Sequence, residues 1–202
     1  VPPERILLAT CTNKAARSML CRVENLAGRG AGKILGGTFH SIAHRMLRSY
    51  ASRLDYSNRF SIVDTEDARQ IIRQAMDDLH IDARLSKFPK NTILAEIISL
   101  AVNTENTLED VLESRYPFFL HLRPEIHSIA RRYAQKKKEL QVMDFDDLLV
   151  NGRRLLREHP DVLQTLSQRF QYVLVDEYQD TNVLQAEMVD LIASGHRNLM
   201  VV

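Results

Sequence analysis

Apolar residues form four short runs along the chain, each with the length and flanking residues of a buried parallel strand. The runs are Ile6–Ala9, Ile34–Leu35 leading to Thr38, Tyr172–Val175 and Leu199–Val202. Each of the first three precedes a segment with apolar residues every three or four positions, which is typical of an amphipathic helix. This alternation predicts an α/β fold built on a parallel sheet.

The middle of the chain carries a different pattern, which is almost entirely helical over residues 58–142. Asp64 is a suitable N-cap for a helix over Glu66–Leu79. Pro89 suits the first turn of a second helix, and Pro124 opens a third. We therefore expect an all-helical insertion within the α/β layer.

The alternating pattern resumes after the insertion. Asp144 is expected to cap one helix, and Pro160 to start a short one that leads to the third strand. The chain has no initiator Met and stops within an apolar run, Leu199–Val202. We therefore expect a segment of a longer protein.

Composition narrows the class of protein without identifying it. The 202 residues are 45% hydrophobic and contain two cysteines, Cys11 and Cys21. That apolar content excludes a disordered chain, and two cysteines cannot build a disulfide framework or a four-cysteine zinc site. No apolar run approaches the roughly 18 residues of a membrane span. We expect free thiols in a reducing cytoplasm and no membrane partner.

The net charge of +1 conceals a strong asymmetry along the chain. Residues 1–57 carry nine basic and three acidic side chains, whereas residues 144–202 carry five basic and ten acidic ones. This distribution favours two kinds of site, one for an anion and one for a cation.

The strongest chemical motif is Val173–Asn182, which reads VLVDEYQDTN. A buried strand ends in two adjacent carboxylates, at the position where open α/β sheets bind ligands. In P-loop nucleotide hydrolases the acid that ends such a strand holds Mg²⁺, and a neighbouring Glu can orient the attacking water. The alternative is a solvated acidic turn.

Two further strand-to-helix turns carry polar side chains. Ala9–Ala16 reads ATCTNKAA and suits phosphate oxygens at a helix N-terminus, although a plain N-cap with an exposed Lys is the alternative. Gly37–Ser41 reads GTFHS, where His40 either touches a phosphate or base or satisfies local turn groups.

Two charged segments have an ordinary explanation as well as a functional one. Asp144–Asp147 reads DFDD, and acids in a first helical turn favour the helix dipole and can cap it. The basic run Lys136–Lys138, with Arg131 and Arg132, is a candidate nucleic-acid contact or a solvated helix face.

A glycine-rich segment, Ala27–Ile34, resembles the phosphate-binding loop G-x-x-x-x-G-K-[ST] but does not match it. Ala27 replaces the first glycine and Ile34 replaces the Mg²⁺-binding hydroxyl. The segment also precedes a strand, whereas the true loop joins a strand to a helix. We interpret it as a connector.

The order of the motifs resembles that of the UvrD/Rep/PcrA-type superfamily 1 DNA helicases. Ala9–Ala16 resembles motif Ia, Gly37–Ser41 motif Ib, Asp144–Asp147 the DFDD segment and Asp176–Asn182 motif II. The resemblance covers essentially the whole chain.

This resemblance implies an ATP-driven 3′→5′ translocase on single-stranded DNA that also engages duplex DNA. Residues 1–57 and 144–202 would form part of a RecA-like domain 1A, and residues 58–143 a helical domain 1B. ATP and Mg²⁺ would be the cofactors of the intact protein. A second motor domain would be missing from this chain.

The resemblance also implies roles for individual residues. Asp176 would serve Mg²⁺, Glu177 the hydrolytic water, and Gln179 would sense the γ-phosphate region. The residues that would line the single-strand track are Thr12, Asn13, Lys14, Thr38 and His40.

The chain departs from the family at two points. Cys11 stands where many relatives carry a base-stacking Phe, so one DNA contact is in doubt. The phosphate-loop strand and motif III would lie outside the chain. The resemblance implies that this strand lies between the motif II strand and the strand that follows it. We therefore expect a gap between Leu199–Val202 and Tyr172–Val175, with the tail disordered, re-paired or joined to another molecule.

Two functions remain open at this point. The first is a helicase segment that is inactive alone, because nothing in it cradles the β- and γ-phosphates. The second is a non-catalytic nucleic-acid or protein-interaction module on a degenerate helicase fold. Within the first class, a helicase–nuclease is a further alternative.

Overall fold

A computed structural model describes residues 1–82 and 88–202 of the chain. Its strands are β1 (Ile6–Thr10), β2 (Leu35–Thr38), β3 (Ser61–Ile62), β4 (Val142–Met143), β5 (Tyr172–Val175) and β6 (Leu199–Val201). Its α-helices are α1 (Asn13–Ala27), α2 (Phe39–Tyr50), α3 (Thr65–Asp78), α4 (Asn91–Thr104), α5 (Leu108–Arg115), α6 (Arg123–Glu139), α7 (Phe145–Glu158), α8 (Pro160–Arg169) and α9 (Val183–Ala193). No helix in the described ranges is long and apolar enough to cross a membrane.

The chain divides into two compact units. Val1–Asn58 and Leu148–Val202 form the first, which we call the sheet unit, and Arg59–Asp147 forms the second, the helical unit.

The sheet unit is built on a four-stranded parallel sheet in the order β2-β1-β5-β6. Leu7 of β1 pairs with Leu35 of β2 on one side and with Val173 of β5 on the other. Strands that are buried on both faces read as continuous apolar runs, which is why the sequence revealed them. The predicted α/β class with a parallel sheet is confirmed.

The expected gap beside β5 is wrong. β6 pairs directly with β5, with Val173 opposite Leu199 and Val175 opposite Val201. The backbone N–H of Val202 also donates to the carbonyl of Val175 at 3.0 Å. This pairing satisfies polar groups that an open edge of β5 would leave without sheet partners.

The helical unit packs α3, α4, α5 and α6 around an apolar core. Its fully buried side chains include Ile72, Leu94, Ile97, Leu112 and Ile126. Leu112 belongs to α5, a helix that the sequence pattern did not predict. The two-residue parallel pair of β3 with β4 was also missed, because so short a pairing has no detectable period.

The predicted helix starts of the helical unit are confirmed in two of three cases. The Asp64 carboxylate caps α3 by accepting the N–H groups of Glu66 and Asp67, both at 2.9 Å. Pro124 lies in the first turn of α6. Pro89 does not lie in the first turn of α4, because Lys90 is the N-cap residue and Pro89 precedes it.

A buried ionic cluster links α6 to the start of α7 in the helical unit. The Lys137 ammonium lies 2.6 Å from Asp144 Oδ2 and 2.7 Å from Asp147 Oδ2. The Tyr133 hydroxyl donates to Asp144 at 2.7 Å. Asp144 and Asp147 also accept each other's backbone N–H groups, at 2.8 and 3.0 Å. Lys137 is only 5% exposed, so it is not part of a solvated basic face.

Burial sets the protonation of this cluster. Burial, aided by the Asp144 charge, raises the pKa of Asp147 to about 6, although Lys137 acts in the opposite direction. Burial also acts to raise the pKa of Asp144, but attraction by Lys137 outweighs it and the pKa is lowered. Because the pKa of Asp147 is raised on folding, its protonated form stabilises the unit, and this contribution is lost as the pH rises through 6.

We predict that Lys137→Met destabilises the helical unit by roughly 3–5 kcal/mol at pH 7.5, because two buried carboxylates lose their counter-charge. The loss should be smaller at pH 5, where Asp147 is protonated. Urea unfolding at the two pH values measures both effects. Arg131→Met removes an exposed cation from the same helix and should change the free energy of unfolding by less than about 0.5 kcal/mol. Equal losses for the two variants would contradict the prediction.

Candidate active site at the carboxyl edge of the sheet

The three strongest sequence motifs meet at one edge of the sheet. Thr10 ends β1 and pairs with Thr38, which ends β2. Ala9 pairs with Val175 at the end of β5, and its carbonyl accepts the N–H of Asp176 at 2.9 Å. Because the strands are parallel, the polar residues that follow them emerge side by side.

The turn after β5 holds Glu177 in an uncommon backbone conformation. Glu177 has φ of 56°, in the left-handed region that non-glycine residues rarely adopt. Its carbonyl accepts the N–H of Asp180 at 3.0 Å, and the N–H of Tyr178 donates to the Val202 carbonyl at 2.9 Å. These main-chain hydrogen bonds hold the turn in its left-handed conformation.

The candidate catalytic side chains of this turn are already in contact. The amide nitrogen Nε2 of Gln179 donates to the Glu177 carboxylate. Glu177 is exposed and Asp176 is half-buried, so both carboxylates are accessible to a ligand. Asn182 then caps α9 through a reciprocal capping box with Gln185, which ends the turn.

A groove lies between this turn and helix α1. Its volume is about 610 Å³, and Leu8, Leu174 and Met200 are among its apolar lining residues. The candidate site residues that line the groove are Thr12, Lys14, Asp176 and Glu177. Predicted DNA-contact residues and predicted hydrolytic carboxylates therefore share one groove.

The first turn of α1 is capped by one of the predicted contact residues. The Thr12 hydroxyl accepts the N–H of Ala15 at 3.1 Å, so it has the capping role considered as the alternative. Asn13 and Lys14 are exposed in the same turn. Since the helix dipole also favours an anion here, the turn retains the features of a phosphate contact.

The turn before α2 is tightly packed. The Thr38 hydroxyl accepts the N–H of Ser41 at 3.3 Å, and the Ser41 hydroxyl donates to the Thr38 carbonyl at 2.9 Å. Thr38 is 8% exposed and His40 is half-buried. Neither residue lines the groove beside α1. A Cβ on Gly37 would lie 2.2 Å from Ser41 Oγ, so a side chain at this position would displace the Ser41 hydroxyl.

Cys11 lies closer to the hydrolytic residues than the sequence indicated. Its Sγ is 4.0 Å from the carbonyl of Glu177. Burial, with the nearby charges of Asp180 and Glu177, raises the pKa of the thiol. The sequence showed only the absence of a stacking ring, but Cys11 follows a central strand, and that position could have suggested the neighbour.

Two other candidate segments belong to the helical unit. Asp144 and Asp147 belong to the buried cluster with Lys137, so the ordinary capping explanation of the DFDD segment holds for them. Lys136 and Arg132 both pair with Asp78, at 2.9 and 2.7 Å. This part of the basic run is therefore neutralised within the unit.

The glycine-rich segment is a connector, as expected. Arg29–Lys33 forms a short 3₁₀ helix that leads into β2. It does not join a strand to a helix N-terminus, so it lacks the geometry that cradles phosphates.

A parallel sheet whose central strands end at a capped helix N-terminus and an Asp-Glu pair has the architecture of the RecA-like α/β nucleotide hydrolases. Comparison with known proteins specifies the family. The family model of the UvrD/REP helicase N-terminal domain matches residues 1–202, and the chain belongs to this family.

Relatives from two staphylococci show the same relationship. The chain is 35% identical over 202 residues to the ATP-dependent DNA helicase PcrA of Staphylococcus epidermidis RP62A and to that of Staphylococcus aureus Mu50. The match covers 100% of this chain and 27% of each relative. The chain therefore spans about a quarter of the length of these relatives.

We predict that Gly37→Ala lowers the melting temperature of the chain by about 2–4 °C, because the new methyl group displaces the Ser41 hydroxyl from the Thr38 carbonyl. Thermal unfolding followed by circular dichroism measures the shift. Gly32→Ala is the matched control, since nothing lies within 4 Å of a Cβ at that position. The prediction fails if both variants melt at the same temperature.

Proposed function

We propose that this chain is the part of an ATP-dependent DNA helicase that carries the hydrolytic carboxylates and a segment of the single-strand track. The observation that carries the proposal is the shared groove, which is lined both by Thr12 and Lys14 and by Asp176 and Glu177. Family membership and the names of the staphylococcal relatives support it.

In this proposal the acidic turn acts on ATP. Asp176 is the residue that would hold Mg²⁺, and a half-buried carboxylate at a strand end fits an ion that proteins bind through one or two carboxylates and substrate phosphates. The bound ion would neutralise charge on the phosphates. Glu177 orients the attacking water and accepts its proton, while Gln179, already bonded to Glu177, detects the γ-phosphate region.

The DNA track uses the two helix starts at the same edge. Asn13 and Lys14 contact the phosphates from the exposed first turn of α1, with Thr12 fixing that turn. Thr38 acts by holding the start of α2, and His40 contacts the strand from its first turn. Movement is 3′→5′, and residues 58–143 act as the domain that meets duplex DNA.

The 202-residue chain alone should not hydrolyse ATP, because its glycine-rich segment does not cradle phosphates. The principal test therefore uses the complete protein that contains the chain, with single-stranded DNA as activator. We predict that Glu177→Gln lowers DNA-stimulated ATP turnover by about 10²–10⁴-fold, the range for loss of a general base. Affinity for single-stranded DNA should stay within about twofold.

Controls make the test specific. Glu24→Gln neutralises an exposed carboxylate on α1 outside the groove and should leave turnover unchanged. Unwinding of a 3′-tailed duplex but not a 5′-tailed one would support the direction. A complete protein that binds DNA without hydrolysing ATP would instead establish the non-catalytic binding module.

A further inference from the structure

Thr10 carries a buried hydroxyl that the site as described does not use. It is the last residue of the central strand β1 and is 0% exposed. Among the described side chains of the sheet unit, its Oγ1 is the one fully buried polar atom without a hydrogen-bond partner. Burying such a group costs free energy, and an orphaned polar group at a functional edge calls for an explanation.

The last paired residues of β1 and β5 are Ala9 and Val175, so Thr10 and Asp176 are the next residues of the two chain segments. Leu8 pairs with Leu174 across β1 and β5, and both side chains line the groove beside α1. Side chains alternate along a strand, so Thr10 shares the face of Leu8, and Asp176 shares the face of Leu174. The hydrogen bond from the Asp176 N–H to the Ala9 carbonyl extends the β1–β5 ladder as far as Asp176.

Neighbouring side chains on one face of adjacent strands are close enough to interact. A hydroxyl can donate to a carboxylate, and such charge-assisted bonds are stronger than neutral ones. The backbone at both positions is fixed by the ladder, so rotation of the two side chains is the movement that brings donor and acceptor together.

We propose that Thr10 is a positioning residue, whose hydroxyl donates to the Asp176 carboxylate when the site engages its ligands and holds that carboxylate in one orientation. The role rests on the proposed function. This role would explain why Thr10, whose hydroxyl has no hydrogen-bond partner in this structure, occupies the fully buried last position of β1.

The test compares Thr10→Val with Thr10→Ser. In the 202-residue chain, Thr10→Val should raise the melting temperature by about 2–4 °C, because an isosteric methyl group replaces an unpaired hydroxyl. In the complete protein, the same variant should lower ATP turnover by about tenfold without changing the Kd for single-stranded DNA. Thr10→Ser retains the hydroxyl and should restore turnover to within about threefold.

Thr165→Val is the control, since its hydroxyl bonds the Asp161 carbonyl within α8, away from the candidate site. It should leave turnover unchanged. Normal turnover in Thr10→Val would overturn the positioning role, as would a Thr10→Ser variant as slow as Thr10→Val or a fall in the melting temperature of Thr10→Val. A wild-type complete protein without DNA-stimulated hydrolysis would overturn the proposed function as well.

Discussion

The parallel hydrogen-bond ladder between β1 and its two neighbours fixes where the candidate residues of the sheet unit lie. Thr10 is level with Thr38 on one side, and Ala9 is level with Val175 on the other. A shift of one residue would turn every side chain of a strand to the opposite face. The groove, the Asp176–Glu177 turn and the two helix starts therefore exist as one site only in this register.

Local sequence signals predicted the elements better than their arrangement. The apolar runs and the caps Asp64 and Asp144 follow from short-range chemistry, which a sequence displays directly. The position of β6 beside β5 does not, because strand order is a property of the whole sheet. The burial of Lys137 could not be predicted from the sequence either. It depends on the carboxylates of Asp144 and Asp147, which only folding brings close to the ammonium group. The roles of the site residues remain predictions.

The net charge of +1 is a sum over two units that hold their charged side chains in different ways. In the helical unit, opposite charges are paired: Lys137 lies between two carboxylates, and Arg132 bridges Asp78 and Glu139. In the sheet unit, Lys14 and Arg22 face a groove that also holds Asp176 and Glu177. Pairing neutralises the first set, whereas the second set remains available at an accessible groove.

The turn that carries Glu177 is restrained mainly by the main chain. The N–H of Tyr178 is held by the Val202 carbonyl, and the Glu177 carbonyl by the N–H of Asp180. Neither bond depends on side-chain chemistry at positions 178, 180 or 202. Substitutions there can accumulate over evolution while the left-handed turn persists, so residue identity alone will understate how strongly selection preserves this geometry.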